Sequence, residues 1–333
     1  MNQCSARPAF EPHPLLRPPH LMTIIPRLWP RTGLLRGIPT DPRQFTVASD
    51  TQLLGYCHWQ PDCQSRRTVI LIHGLEGCSE SHYVQGLANK AWRAGFNVVR
   101  LNQRNCGRSE HLTPTLYNSG LSGDFAAVVT ELQTKDGLRS IWVVGYSMGG
   151  SLALKMAGEA RTTLPALQGV IAVCPNIEPG ACVAALEEPR NWLYQHHFLK
   201  GLKARLRRKA RLFPGQFDVS RLSRIRTLRE FDDIYTAPDG GYESAEDYYA
   251  RSAARHVLPN IRVQTIILVA QDDPFIPYRM FEDEAIKTGR WIRLWAPKHG
   301  GHCGFIQRPR QSEDCYWAEN RLVEAIADGK DAL

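Results

Sequence analysis

The chain has 333 residues, of which 43% are hydrophobic and 22% are charged, and its formal net charge at pH 7 is +8. This is an ordinary globular composition that allows a sizeable core. No apolar run approaches the roughly 20 residues of a membrane span, and prolines and arginines interrupt the region where a signal peptide would lie. We therefore expect neither a spanning segment nor secretion, and predict a cytoplasmic location.

Nine cysteines are scattered along the chain without a C-x-x-C pair, which argues against a disulfide framework and against a zinc site. The sequence contains no G-x-x-x-x-G-K-[ST], G-x-G-x-x-G or H-E-x-x-H motif. No cofactor and no metal are therefore predicted. Nucleic acid is not an expected partner, because no recognised nucleic-acid-binding motif accompanies the positive charge.

The N-terminal segment, residues 1–42, holds nine of the 22 prolines. Proline breaks regular structure, so we interpret this segment as an extended arm that lies on the body of the protein. From residue 44 to residue 59, two β-type runs flank the turn Ala48-Ser49-Asp50. They predict an antiparallel hairpin at a sheet edge.

Strand-like and helix-like stretches alternate over residues 43–174 and again over 261–333. Such alternation predicts an α/β fold with a mostly parallel central sheet and helices on both faces. The predicted strands are apolar and strand-sized, and they are 69–72, 97–101, 141–144, 170–173, 265–270 and 291–295.

Two predicted strands end in loops of chemical interest. In the run TVILIHGLEG, the strand ends in His73-Gly74. The run IWVVGYSMGG carries the pattern G-x-S-x-G around Ser147. This pattern between a strand and a helix is a nucleophile elbow, in which small flanking residues let the two elements approach. The backbone N–H groups of Leu75 and Met148 are the predicted donors to an oxyanion.

Residues 175–260 interrupt the alternation with helical spacing and predict a helical lid above Ser147. Within this lid, KGLKARLRRKAR at 200–211 carries seven basic residues around a leucine stripe. This amphipathic helix is interpreted either as a solvated lid face or as a surface for weak contact with an anionic membrane.

The acid and the base expected of a serine nucleophile follow later in the chain. The strand of AQDDPFIP ends in Asp272 and Asp273, and KHGGHCGF contains His299 and His302. We favour Asp273, because Pro277 follows four residues later, and we leave Asp272 open. The order Ser, Asp, His is that of α/β-hydrolases.

Several long segments resemble the YheT-like branch of the α/β-hydrolase superfamily over nearly the whole chain. They are HPLLRPPHLMTIIP, HGLEGCSESHY, NQRNCGRSEHLTPTLYNSG, GYSMGG, EFDDIYTAPDGGY, AQDDPFIP and GGHCGF. The resemblance implies an α/β-hydrolase fold with a helical lid, and His302 as the base through its GGHxGF pattern. Eukaryotic members often carry an N-terminal membrane anchor, whereas none is predicted here.

Together these features predict a serine hydrolase with Ser147, His302 and Asp273 as its triad. The expected substrate is a small-molecule ester or lipid, as for a short- to medium-chain carboxylesterase or a monoacylglycerol lipase. Two alternatives stay open: an acyltransferase that uses the same residues with an alcohol acceptor, and a non-catalytic lipid-binding protein.

Overall fold

The computed structural model describes residues 9–310 and 313–329. One eight-stranded sheet crosses the molecule in the order β1-β2-β4-β3-β5-β6-β7-β8. The strands from β4 to β8 in this order are parallel, and β2 is antiparallel to both β1 and β4. The bounds are β1 Asp41–Ala48, β2 Thr51–His58, β3 Thr68–Ile72, β4 Asn97–Leu101, β5 Ile141–Tyr146, β6 Leu167–Val173, β7 Gln264–Leu268 and β8 Ile292–Trp295.

The α-helices lie between and around these strands. They are α1 Pro19–Leu28, α2 His82–Arg93, α3 Ser122–Asp136, α4 Met148–Ala160, α5 Pro179–Glu187, α6 Trp192–Leu212, α7 Leu228–Phe231, α8 Ala237–Asp239, α9 Ala245–Ser252, α10 Glu284–Thr288 and α11 Trp317–Asp328. Shorter 3₁₀ helices are Pro14–Leu16, Cys63–Ser65, Glu110–Leu112, Pro189–Asn191, Ser220–Ser223, Ala254–Asn260 and Tyr278–Glu282, and Asp232–Thr236 is a π-helical turn.

Each central strand is buried on both faces, which explains its continuous apolar sequence. In β3, Val69 and Leu71 pack with residues of α2 and α11. Ile70 and Ile72 point the other way and pack with residues of α3, α4 and the lid. The sheet is therefore covered on both sides, and the predicted α/β fold and edge hairpin are confirmed.

The interpretation of residues 1–42 as an extended arm is wrong in part, because α1 is a ten-residue helix. Pro18 and Pro19 occupy the N-cap and first position, where a helix tolerates proline because no intrahelical hydrogen bond is lost. Pro26 lies inside the helix, two residues before its end, and has no N–H to donate to the carbonyl of Met22. The first eight residues of the predicted arm lie outside the described residues.

The segment between β6 and β7 contains helices α5 to α9 and no strand. Its helix α6 has 21 residues and includes the predicted basic stretch. The interpretation of that stretch as one exposed basic face is wrong for two residues. Arg205 and Lys209 are buried, because each finds acceptors on the core below the helix. Lys209 donates to the carbonyls of Glu110 and Thr113, and burial lowers its pKa to about 8.

Across the described ranges, every helix is too short or too polar to span a bilayer.

Candidate active site

Ser147 stands at the junction of β5 and α4 with φ 53° and ψ −121°, a strained conformation for a residue with a side chain. Its backbone N–H donates to the carbonyl of Val173 at 2.8 Å, which ties the turn to β6. A Cβ atom on Gly145 would overlap the backbone of Gly149, and one on Gly149 would lie 2.5 Å from the carbonyl oxygen of His73. The two glycines therefore permit the elbow by letting helix, strand and neighbouring loop meet.

Asp273 and His302 form a hydrogen-bonded pair, with 2.8 Å between the Asp273 Oδ2 and His302 Nδ1 atoms. The Asp273 side chain is fully buried, and its Oδ1 atom accepts from the backbone N–H groups of Phe275 and Ile276 at 3.1 and 3.0 Å. Burial by itself would lower the pKa of His302, but the charge of Asp273 and its hydrogen bond outweigh burial and raise that pKa. The carboxylate thus fixes the ring and favours its cation.

The neighbouring acid forms a second pair. Asp272 Oδ2 lies 3.2 Å from His299 Nδ1, and Asp272 Oδ1 accepts from the N–H of Gly301 at 3.0 Å. The side chains of this pair are 17% and 31% exposed, against 0% and 12% for Asp273 and His302. Asp272 therefore holds the loop that carries His302, at the rim of the site.

The predicted base lies beside a wall of the cavity that holds the predicted nucleophile. Phe275 lines the cavity that also contains Ser147, and the His302 ring packs on Phe275 with 4.2 Å between ring centroids. Among the described residues, no hydrogen bond joins the Ser147 hydroxyl to His302. Such catalytic hydrogen bonds are often long without substrate.

The loop His73–Gly77, here called the oxyanion loop, lies against the elbow. A Cβ atom on Gly74 would stand 3.0 Å from the Cβ of Ser147. Leu75, Ser147 and Met148 line the same cavity. Met148 is the first residue of α4, where the backbone N–H has no intrahelical acceptor. Both predicted donors thus adjoin the nucleophile.

Hydrogen bonds on either side of Leu75 hold this loop in place. The N–H of Gly74 donates to the Tyr83 hydroxyl at 3.0 Å, and the N–H of Glu76 donates to the Tyr117 hydroxyl at 3.1 Å. Tyr117 in turn donates to Glu76 Oε1 at 2.7 Å. The sequence analysis assigned no role to Glu76, Tyr83 or Tyr117, although all three stand inside segments that carry the family resemblance.

Arg205 of the lid completes this cluster. Its Nε donates to Glu76 Oε1 at 3.0 Å, with the two side chains 8% and 9% exposed, and its guanidinium also donates to the carbonyl of Asn105. The guanidinium lies 5.2 Å from the centroid of the Tyr117 ring. The ion pair therefore connects helix α6 to the oxyanion loop across 129 residues of sequence.

His73 is buried at the base of the same loop. Burial lowers its pKa to about 4, so the ring is neutral at pH 7. Its Nε2 accepts from the N–H of Gln103 at 3.1 Å, and its Nδ1 donates to the carbonyl of Gly74 at 2.8 Å. This residue shapes the loop and is not available as a second base.

The cavity holds about 710 Å³ of space, counted with its open mouth. Its lining includes apolar side chains: Val183, Leu186, Phe198, Leu202, Leu228, Phe275 and Ile276. It also includes residues with polar groups: Tyr117, Ser119, Asn176, Asp232, Thr236, Tyr248 and Tyr249. Burial raises the pKa of Asp232 to about 6, and its Oδ2 accepts from the Tyr249 hydroxyl at 2.7 Å. The site is thus amphipathic.

One group of soft ligands lies beside the base. The side-chain ligand atoms of Cys174, His302 and Cys303 all lie within 4.8 Å of one another. Burial would raise the pKa of Cys303, but the Cys174 thiol and the charge of His302 lower it below its ordinary value. Any metal held there would occupy the ring of His302 and oppose its role as a base.

Comparison with known proteins shows to which family this chain is related. The model of the α/β-hydrolase fold family matches residues 67–309. YheT of Escherichia coli K12, whose name gives a provisional esterase assignment, is 30% identical over 326 residues, 97% of this chain and 94% of that protein.

Two eukaryotic relatives are similar over shorter spans. Phospholipase ABHD3 of Mus musculus is 29% identical over 270 residues, which are 80% of this chain and 66% of that protein. Monoacylglycerol lipase of Saccharomyces cerevisiae is 27% identical over 281 residues, 76% of this chain and 59% of that one.

Solved structures share the fold at lower identity. The 2,6-dihydroxy-pseudo-oxynicotine hydrolase superposes with a TM-score of 0.60 at 19% identity and covers 89% of this chain and 69% of its own. The Pyrococcus furiosus esterase Pf2001 has a TM-score of 0.58 at 16% identity, covering 88% and 93%. The family-model match and the similarity to YheT show that the chain belongs to the α/β-hydrolase family, as a hydrolase of the branch that contains YheT.

Proposed function

We propose that the protein hydrolyses carboxylic esters of short to medium acyl chain through Ser147, His302 and Asp273. One observation carries this proposal: the buried Asp273–His302 pair, at 2.8 Å, packs on a wall of the cavity that holds the elbow serine. The esterase and lipase names of similar proteins support the same reaction class.

In acylation, the Ser147 hydroxyl attacks the ester carbonyl while His302 takes its proton. The carbonyl oxygen becomes an anion that the N–H groups of Leu75 and Met148 bind, and each such donor contributes about 3–4 kcal/mol in comparable sites. His302 then gives its proton to the departing alkoxide, which leaves as the alcohol. Asp273 stabilises the imidazolium throughout and keeps its own charge.

In deacylation, water takes the place of the alcohol. His302 accepts a proton from this water as it attacks the acyl-serine carbonyl, and the same two N–H groups bind the second oxyanion. Collapse of the intermediate returns the proton from His302 to Ser147 and releases the acid. An alcohol in place of water would give acyl transfer, so added alcohol tests that alternative through the products.

The mixed lining of the cavity suits an amphipathic ester. Phe198, Leu202 and Phe275 offer apolar surface to an acyl chain. Tyr248 and Asp232 offer hydrogen-bonding groups to a hydroxylated alcohol part. Monoacylglycerols have both features, which makes them the substrate class that we propose to test first.

The test is hydrolysis of p-nitrophenyl esters and monoacylglycerols of graded chain length, together with labelling by a fluorophosphonate probe. Ser147→Ala should abolish both hydrolysis and labelling. Ser119→Ala is the matched control, because Ser119 lines the same cavity away from the elbow, and it should still be labelled. Full hydrolysis by Ser147→Ala would refute the proposed nucleophile.

A further inference from the structure

Large apolar side chains are exposed in one region of the molecule. Among the described residues, eight large hydrophobic side chains are exposed, and six of them belong to α1, its flanks and the first turn of α6. We call these six residues the apolar patch: Leu15, Leu21, Leu28, Trp29, Trp192 and Leu193. Leu15 is 77% exposed, Leu28 69% and Trp192 62%. Clustering of this kind marks an interaction surface, whereas single exposed apolar residues do not.

The two contributing helices touch, so the exposed residues of the patch lie on neighbouring helices. The His20 ring stacks on Tyr194, with 2.9 Å between His20 Nδ1 and the Tyr194 hydroxyl. Further along, Arg27 Nη1 lies 2.8 Å from His197 Nε2. On α1 the contacting residues directly precede Leu21 and Leu28, and on α6 Tyr194 directly follows Leu193.

The two helices of the patch carry basic side chains and no acidic ones, since neither α1 nor α6 contains an aspartate or a glutamate. Arg17, Arg27 and Lys200 are exposed beside the apolar residues. An apolar surface with tryptophan and a basic border has the chemistry of an anionic lipid interface.

The patch also adjoins the proposed active site. Thr23, on α1, accepts a hydrogen bond from the backbone N–H of His302 at 2.9 Å. On α6, Phe198 and Leu202 line the cavity a few residues after Trp192. A surface bound at the patch would therefore lie next to the base and the lid.

We infer that the apolar patch docks the protein on an anionic lipid surface, where it takes up ester substrate. The uptake of ester substrate rests on the proposed function, whereas the docking itself does not require catalysis. A second copy of the chain fits the patch less well, because a two-fold contact would bring the basic borders of both copies together.

Sedimentation with vesicles tests the docking. Ser147→Ala protein, which consumes no lipid, should pellet with vesicles of phosphatidylglycerol and phosphatidylcholine at low salt. Binding should fall with phosphatidylcholine alone and with added salt, since the charge contribution is screened. Leu28→Glu with Leu193→Glu, in the same background, should weaken binding by at least about tenfold, since two inserted leucines are lost.

Leu212→Glu is the matched control. Leu212 lies at the other end of α6 and is 51% exposed, against 52% for Leu193, so the same change should leave binding intact. Equal loss in both variants would overturn the patch as the docking surface. Absence of binding by Ser147→Ala at low salt would overturn the inference. So would a dimer in solution that the double change converts to monomer while vesicles bind nothing.

Hydrolysis of a soluble short-chain ester distinguishes a failure of this inference from a failure of the proposed function. The double change introduced into the active protein should leave that hydrolysis near the unchanged rate, because Leu28 and Leu193 lie outside the cavity. A protein that binds vesicles and hydrolyses no ester would refute the proposed function and leave the docking standing.

Discussion

Arg205→Met removes the cation from the buried cluster that joins helix α6 to the oxyanion loop. In the native protein Arg205 bonds to Glu76 at 3.0 Å, and both side chains are less than one tenth exposed. The substitution keeps an apolar chain of similar length and leaves the Glu76 carboxylate with Tyr117 as its remaining partner. It therefore leaves a buried charge without its counterion.

The magnitude follows from burial. Breaking a buried ion pair by removing one partner costs about 3–5 kcal/mol of unfolding free energy, whereas an exposed pair contributes about 0–1 kcal/mol. Arg190→Met supplies the control, because Arg190 pairs with Glu188 and the two side chains are 68% and 46% exposed. We expect the two losses to differ by at least about 2 kcal/mol.

Catalysis should fall as well, because Glu76 follows Leu75 in the oxyanion loop. Complete loss of an oxyanion donor costs about 10²–10³ in kcat, so displacement of one donor should cost about tenfold or more. Urea unfolding gives the stability of each variant, and hydrolysis of a soluble ester gives its kcat. If Arg205→Met and Arg190→Met lose the same small free energy, the buried pair does not hold the loop and the reasoning is refuted.

Three further expectations concern the proposed base and its neighbours. Asp273→Asn should lower kcat by about 10⁴, while Asp272→Asn should cost far less, and the reverse order would transfer the orienting role to Asp272. His302 must be neutral to accept a proton, and Asp273 raises its pKa. The rate should therefore rise with pH through a midpoint above the ordinary histidine value of about 6.5, and a midpoint below it would contradict this. An alkylating reagent should inactivate the enzyme by modifying Cys303, whose pKa is lowered beside His302, and the Cys303→Ala variant should keep its activity under the same treatment. If the reagent still inactivates Cys303→Ala, Cys182, which lines the cavity, would be the modified residue.

The sequence by itself determines the elements that depend on local patterns. Runs of strand length predict β3 to β8. In β3 to β7 these runs are largely apolar because both faces of the strands are buried, whereas the edge strand β8 exposes Arg293. The elbow around Ser147 is equally local, since Gly145 and Gly149 are required within two residues of the strained serine. These features need no knowledge of the distant chain.

Contacts between distant segments required the tertiary structure. Arg205 and Lys209 read as members of a solvated basic face, because helical periodicity cannot show that Glu76 and the Glu110 carbonyl lie beneath them. The apolar patch likewise depends on helix α1 and on the contact of α1 with α6. The sequence did not predict α1, because the prolines of the N-terminal segment argue against a helix. Periodicity reports which face of an element is apolar. A buried charge or a composite surface depends on partners about a hundred residues away or more, and only folding brings those together.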